Sequence, residues 1–175
     1  MKKLLAALAG LVVLVGLAYG AGSEPSDNTG DRKLDSTLEK INLAAKADPD
    51  GFNKQLSSRY NIPEQEIRQT KETYRLGAAD MFMATALAKA THRPVLSVAE
   101  EYNKNQGKGW GVMAKEMGIK PGSSEFHELK RGARGSLDHM ESVAKSKQKH
   151  EREMKKEHEQ RMKKDSQGKG QGKSR

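Results

Sequence analysis

The uneven distribution of apolar side chains determines where this chain can build a core. Beyond Leu137 the sizeable apolar residues are few: Met140, Val143, Met154 and Met162. A segment with so little apolar surface cannot build a core of its own. The chain has no cysteine, so disulfides cannot supply the missing stability. We therefore expect a packed domain over residues 35–137, followed by a basic charged tail over residues 138–175.

The first 22 residues have the order of a secretory signal peptide. Met1-Lys2-Lys3 precedes an apolar run over residues 4–17, and small residues then follow at Ala18, Gly20, Ala21 and Gly22. The run is shorter than the roughly 20 apolar residues that a membrane span needs. We predict cleavage after Gly20 or Gly22, a polar linker over residues 23–34, and a mature protein without a transmembrane span. An uncleaved N-terminal anchor is the alternative.

Proline and capping residues indicate where helices begin. Asp48-Pro49 pairs an N-cap with proline at the first helical position, and Pro63 and Pro94 precede further apolar-periodic runs. Ser123 and Ser124 can cap a helix after Pro121. The stretch Ser36-Thr37-Leu38-Glu39 has the form of a capping box.

Hydrophobic periodicity predicts an all-α fold. Two sets of apolar residues are spaced i, i+3, i+4, i+7, namely Val95, Val98, Ala99, Tyr102 and Trp110, Met113, Ala114, Met117. Residues 78–90 are apolar nearly all round, as expected of a buried central helix. No stretch alternates with period two. We predict a compact bundle of five or six short helices, then a tail that is helical to about Lys164 and disordered from Asp165.

The stretch "QGKGWGVMAKEMGIKPGSSEFHELKRG", residues 106–132, admits three interpretations. A phosphate-binding loop would need a preceding strand, and the preceding segment is predicted helical. A DNA-reading helix-turn-helix would need a shorter turn, and export would separate it from chromosomal DNA. The third interpretation is a structural corner, and we prefer it. Its residues are Gly107, Gly109, Trp110, Gly111, Gly118, Pro121, Gly122 and Phe126.

This stretch resembles the signature of a family of small exported bacterial helical proteins. The family motif contains Gly-Lys-Gly-Trp-Gly, then Gly-Ile-Lys-Pro-Gly-Ser and Glu-Phe-His, which match "GKGWG" at 107–111 and "GIKPGSSEFH" at 118–127. The preceding "AADMFMATALAKATHRPVLSVAEEYNKNQ" fits the same family, so the resemblance covers roughly residues 52–131. The family has no assigned activity, and the resemblance implies a domain boundary but no mechanism.

Positive charge is concentrated after residue 129. Residues 130–175 contain 15 Lys and Arg against 7 Asp and Glu, a net charge of +8, whereas residues 21–129 have a net charge of −1. A basic segment attracts polyanions. The candidate polyanion-binding residues are Lys145, Lys147, Lys149, Arg152, Lys155, Lys156, Arg161, Lys163 and Lys164.

A second pattern in the tail is a ladder of possible metal ligands. His150, Met154, His158 and Met162 recur every four residues, and imidazole with thioether suits copper or nickel. The ladder drifts about 40° per step around an ideal helix, and the interleaved lysines and arginines repel cations. A solvated charged helix is the alternative. No group is arranged for catalysis, and no cofactor is expected.

Together these patterns predict an exported, periplasmic or extracellular, non-enzymatic binding protein that interacts with the envelope. Expected partners are anionic envelope components or extracellular nucleic acid, and not cytoplasmic DNA. The alternatives are an exported hydrolase acting on cell-wall material and a periplasmic metal-handling protein.

Overall fold

The computed structural model describes residues 29–105 and 107–168, with side chains as far as residue 163. Within these residues the fold is all-α and contains no strand, which confirms the predicted class. Six short helices precede one long helix: α1 (Arg32–Ala47), α2 (Pro49–Tyr60), α3 (Glu64–Tyr74), α4 (Ala78–Thr91), α5 (Val95–Lys104), α6 (Trp110–Glu116) and α7 (Ser124–Gly168). The predicted signal peptide lies outside the described residues.

The helix α1 begins earlier than the sequence pattern suggested. Asp31 is its N-cap, since Oδ1 accepts the backbone N–H groups of Lys33 and Leu34. Ser36 and Glu39 lie inside the helix, so the expected capping box does not mark its start. Because α1 starts at Arg32, its buried face includes Leu34. The residues of this face are spaced i, i+4, i+7, i+11, namely Leu34, Leu38, Ile41 and Ala45. The packed region therefore includes the last residues of the expected linker.

The starts of α2, α3, α5 and α7 follow the predicted residues. The Asp48 carboxylate accepts the backbone N–H of Gly51 at 3.2 Å, with Pro49 at the first helical position. Pro63 and Pro94 are the N-cap residues of α3 and α5. Ser123 Oγ accepts the backbone N–H of Phe126 at 3.2 Å and thereby caps α7.

The apolar run at residues 78–90 forms the central helix, as predicted. Every residue of α4 from Ala78 to Ala88 is buried, and α4 contacts α1, α2, α5 and α7. A helix surrounded in this way needs no polar face. The exposed Lys89 marks its C-terminal end.

The long helix α7 continues from the packed domain into the basic segment without a break. It crosses the expected boundary at residue 137 and extends to Gly168. The helix thus extends four residues past the predicted end at about Lys164, and residues 169–175 lie outside the described part. Adding residues to an established helix costs little because nucleation is already complete.

Candidate functional site

The distal part of α7 presents a row of cations to solvent. All side chains over residues 144–163 are exposed. At 100° per residue, five of the predicted cations fall within an arc of about 60°. These residues, spaced i, i+4, i+7, i+11 and i+18, are Lys145, Lys149, Arg152, Lys156 and Lys163. We call this set the distal basic face.

The remaining predicted cations lie elsewhere on α7. Lys147 is on the side facing the domain, where Nζ donates to Asp48 Oδ2 at 2.6 Å. By the same geometry Lys155 and Arg161 lie roughly 80° and 160° from Lys145, and the side chain of Lys164 is not among those described. The tail cations therefore do not form one site, since only part of them share a face.

The acidic residues near Lys145 and Lys149 weaken the distal basic face only slightly. Lys145 and Lys149 lie 4.0 and 3.9 Å from the carboxylates of Glu141 and Glu153. Both lysine side chains are about four-fifths exposed, at 80% and 79%. Exposed pairs of this kind contribute little energy and can be exchanged for another anion.

A second basic site lies at the other end of α7, where this helix packs on α1. A cavity of about 240 Å³ is lined by Lys33, Leu34 and Thr37 of α1 and by His127, Lys130, Arg131 and Arg134 of α7. We call this the cationic cleft. Sequence reasoning missed it, although His127, Arg131 and Arg134 are spaced i, i+4, i+7 and thus share a helix face.

An ion pair holds one wall of the cationic cleft. Lys130 Nζ donates to Asp31 Oδ2 at 2.5 Å and lies 5.7 Å from the centre of the Phe126 ring. The hydrogen bond from Lys130 is the main reason that the pKa of Asp31 is lowered, and the backbone N–H of Leu34 adds to it. The same carboxylate thus caps α1 and ties it to α7.

The corner at residues 107–126 is built around a buried carboxylate. Trp110 is fully buried, and its ring stacks on Tyr102 with 4.0 Å between centroids and 8° between planes. Trp110 Nε1 and the Tyr102 hydroxyl both donate to Asp80 Oδ1, at 2.8 and 3.1 Å. The backbone N–H of Gly77 donates to Asp80 Oδ2 at 3.2 Å. This network joins α4, α5 and α6, and supports the structural interpretation of the corner.

The glycines of the corner allow backbone conformations and close contacts that other residues would disfavour. Gly107, Gly109, Gly118 and Gly122 have positive φ. A Cβ on Gly111 would lie only 2.3 Å from the carbonyl oxygen of Thr29, so this position needs glycine for close backbone approach. Seven residues separate α6 from α7, which is too long for a helix-turn-helix. Pro121 lies in that connection, and the half-buried Phe126 lies just inside α7.

The His/Met ladder is exposed along the distal part of α7. Met154 and Met162 are 55% and 60% exposed, and His150 and His158 are exposed as well. Among the described residues, no group of three or more His, Asp or Glu side chains is placed to hold a metal ion.

A larger, mainly apolar groove lies between α7 and the α1–α2 corner. Its volume is about 1090 Å³, and its lining includes Phe52, Gln55, Met140 and Val143. Gln55 Nε2 donates to the Ser136 carbonyl oxygen at 2.9 Å, whereas Gln55 Oε1 accepts no hydrogen bond from the described residues. The Lys147–Asp48 pair also borders this groove.

The chain matches no family model, no curated protein and no solved structure. The family resemblance therefore stays an expectation, and the functional argument depends on geometry and charge. In the part of the chain that is described, no helix has both the length and the apolarity needed to cross a membrane.

Proposed function

We propose that this chain is an exported, non-enzymatic protein that binds anionic components of the bacterial envelope through the distal basic face of α7. The observation that carries the proposal is the alignment of five exposed cations on one side of an unbroken helix. At 1.5 Å per residue this row is about 27 Å long, which suits a repeated or surface-bound anion better than a single small ligand.

The arrangement favours contact with an extended anionic surface. A straight helix holds the five cations in one register, so they can reach phosphates on a surface without bending the backbone. Each Lys or Arg near an anionic lipid surface is worth about 1 kcal/mol. The interaction is electrostatic and falls with salt, since the Debye length shortens from about 10 Å at 0.1 M to about 3 Å at 1 M.

Substitution of three cations on the face tests the proposal. A triple variant should bind anionic phospholipid vesicles about 100-fold more weakly at low salt, because each lost charge costs about 1 kcal/mol of binding free energy. Its substitutions are Lys149→Gln, Arg152→Gln and Lys156→Gln. Binding is measured by vesicle co-sedimentation over a salt series. The same series with lipopolysaccharide and with nucleic acid shows which polyanion is preferred.

A matched triple variant controls for net charge. Lys40→Gln, Lys46→Gln and Lys89→Gln remove the same charge from exposed positions on the packed domain. This control should bind vesicles nearly as well as the unmodified protein. Equal weakening by both triples would mean that only net charge matters, and the proposed face would then be rejected.

A further inference from the structure

We propose that the cationic cleft between α1 and α7 is a discrete binding site for the terminal phosphate of a phosphomonoester. Five of its seven lining side chains are cationic or can become so, and none is acidic. The site does not depend on the distal basic face, because Lys33, His127, Lys130, Arg131 and Arg134 all belong to the packed end of α7 or to α1.

Two nearby acids each bind one cation of the cleft, and two further cations remain available to a ligand. Asp31 is bound to Lys130, and Glu128 is bound to Arg131. The side chains of Lys33 and Arg134 form no hydrogen bond or ion pair with any described residue. Two cations on facing helices, neither paired with a described residue, therefore border one cavity.

The two ion pairs of the cleft, Lys130–Asp31 and Arg131–Glu128, have different roles. Lys130 and Asp31 are partly buried, with 30% and 23% of their side chains exposed, so this pair holds α1 against α7. Arg131 and Glu128 are about 70% exposed, at 69% and 72%, and such a pair is readily exchanged for a stronger acceptor. Arg131 can thus turn toward a bound anion while Lys130 keeps the wall in place.

The chemistry of the lining favours a terminal phosphate over a carboxylate. A phosphomonoester has about −1.5 to −2 charges at pH 7 and three acceptor oxygens, which can engage cations from both helices at once. An arginine guanidinium group can donate two parallel hydrogen bonds to the oxygens of one phosphate. The cavity of about 240 Å³ is smaller than the roughly 300–1,000 Å³ of sites for drug-sized ligands. The phosphate enters the cleft, and the rest of the ligand stays outside.

Titration calorimetry with glycerol phosphate tests the site in the purified protein. Saturable binding at one site per chain is expected. Arg134→Gln should weaken binding at least about tenfold, the effect of losing one charged hydrogen bond. Lys33→Gln should weaken it by a similar factor. Arg68→Gln is the control, because it removes an exposed arginine on α3 that does not line the cleft.

A second pair of measurements separates a soluble ligand from a lipid headgroup. Vesicles containing phosphatidic acid present a phosphomonoester, whereas phosphatidylglycerol vesicles present a phosphodiester. Preference for phosphatidic acid that is lost in Arg134→Gln would assign the site to a headgroup. Glycerol phosphate binding without that preference would assign it to a soluble phosphomonoester.

Either result supports a phosphate site, and two results overturn it. One is the absence of saturable glycerol phosphate binding together with equal binding to both kinds of vesicle. The other is unchanged binding in Arg134→Gln and Lys33→Gln, with circular dichroism showing that both variants are folded. The triple variant of the distal basic face should bind glycerol phosphate normally, so failure of the proposed function and failure of this site can be told apart.

Discussion

The two parts of α7 share one backbone helix but have opposite surroundings. Over residues 124–143 the helix contacts α1, α2 and α4, and it buries Leu129, Ala133, Ser136 and Leu137. Over residues 144–163 every side chain is exposed. The proximal part is helical and packed, whereas the distal part is helical and surrounded by solvent. The difference shows that apolar spacing determines where a helix packs, but not where it ends.

Different forces hold the two parts. Proximal residues contribute to the core, whereas the distal part depends on helix propensity and on i, i+4 ion pairs of about 0.2–0.5 kcal/mol each. A solvated helix of this length is marginal by itself. The packed proximal part supplies the nucleus from which the distal part continues.

The largest expected effect comes from truncating one apolar side chain in each part. Leu129 is 4% exposed and Met154 is 55% exposed. Leu129→Ala should cost about 2–5 kcal/mol in the free energy of unfolding, whereas Met154→Ala should stay within about ±0.5 kcal/mol. Urea unfolding monitored by the fluorescence of the buried Trp110 measures both. Similar losses in the two variants would show that the distal part is packed as well.

A smaller effect should locate the border between the two parts. Met140 is partly buried against the core and Val143 is half-buried, so both add stability beyond Leu137. A chain ending at Leu137 should lose about 1–3 kcal/mol, because it exposes apolar surface that these residues cover. A chain ending at Gln148 should stay within about ±0.5 kcal/mol of the full protein.

Thermal melting of the two shortened chains provides the comparison. Equal stability of both would place the border at residue 137, as the apolar composition alone suggested. A loss in the longer of the two chains would instead show that residues after 148 support the packed domain.

The fold was largely predictable because its signals are local. Asp48-Pro49 and Ser123 cap helices where their chemistry predicts, and the apolar run at residues 78–90 is the central helix. The start of α1 was missed because Ser36 and Glu39 offered a pattern that competes with Asp31. Nothing local distinguishes the two caps, and burial of Leu34 decides between them.

The candidate sites were less predictable because they depend on contacts between distant residues. The cations of the distal part were evident from composition, and their common face follows from spacing. The cationic cleft needs Lys33 beside Arg134, which lie on different helices about a hundred residues apart. Asp80 was missed for the same reason, since its partners Tyr102 and Trp110 lie on two later helices.

The smallest expected effect concerns Lys147, which ties the border of the distal part to α2. The hydrogen bond from Lys147 is the main reason that the pKa of Asp48 is lowered, and the backbone N–H of Gly51 adds to it. Because the pKa of Asp48 is lowered in the folded state, the carboxylate stabilises the protein at pH values above its unfolded pKa of about 3.9. This stabilisation is lost as pH falls through the folded pKa.

Lys147→Gln should therefore lower the melting temperature slightly at pH 7, and the difference from the unmodified protein should vanish as pH falls through the folded pKa of Asp48. The effect is small because both side chains are largely in contact with water, at 65% and 36% exposure, and salt screens such pairs. Lys149→Gln is the matched control: it removes the same charge two residues further along, without a contact to α2. If Lys147→Gln and Lys149→Gln give the same melting profile from pH 7 down to acid, the pair does not join the two helices in solution. The side-chain contacts of α7 with the packed domain would then end near Val143.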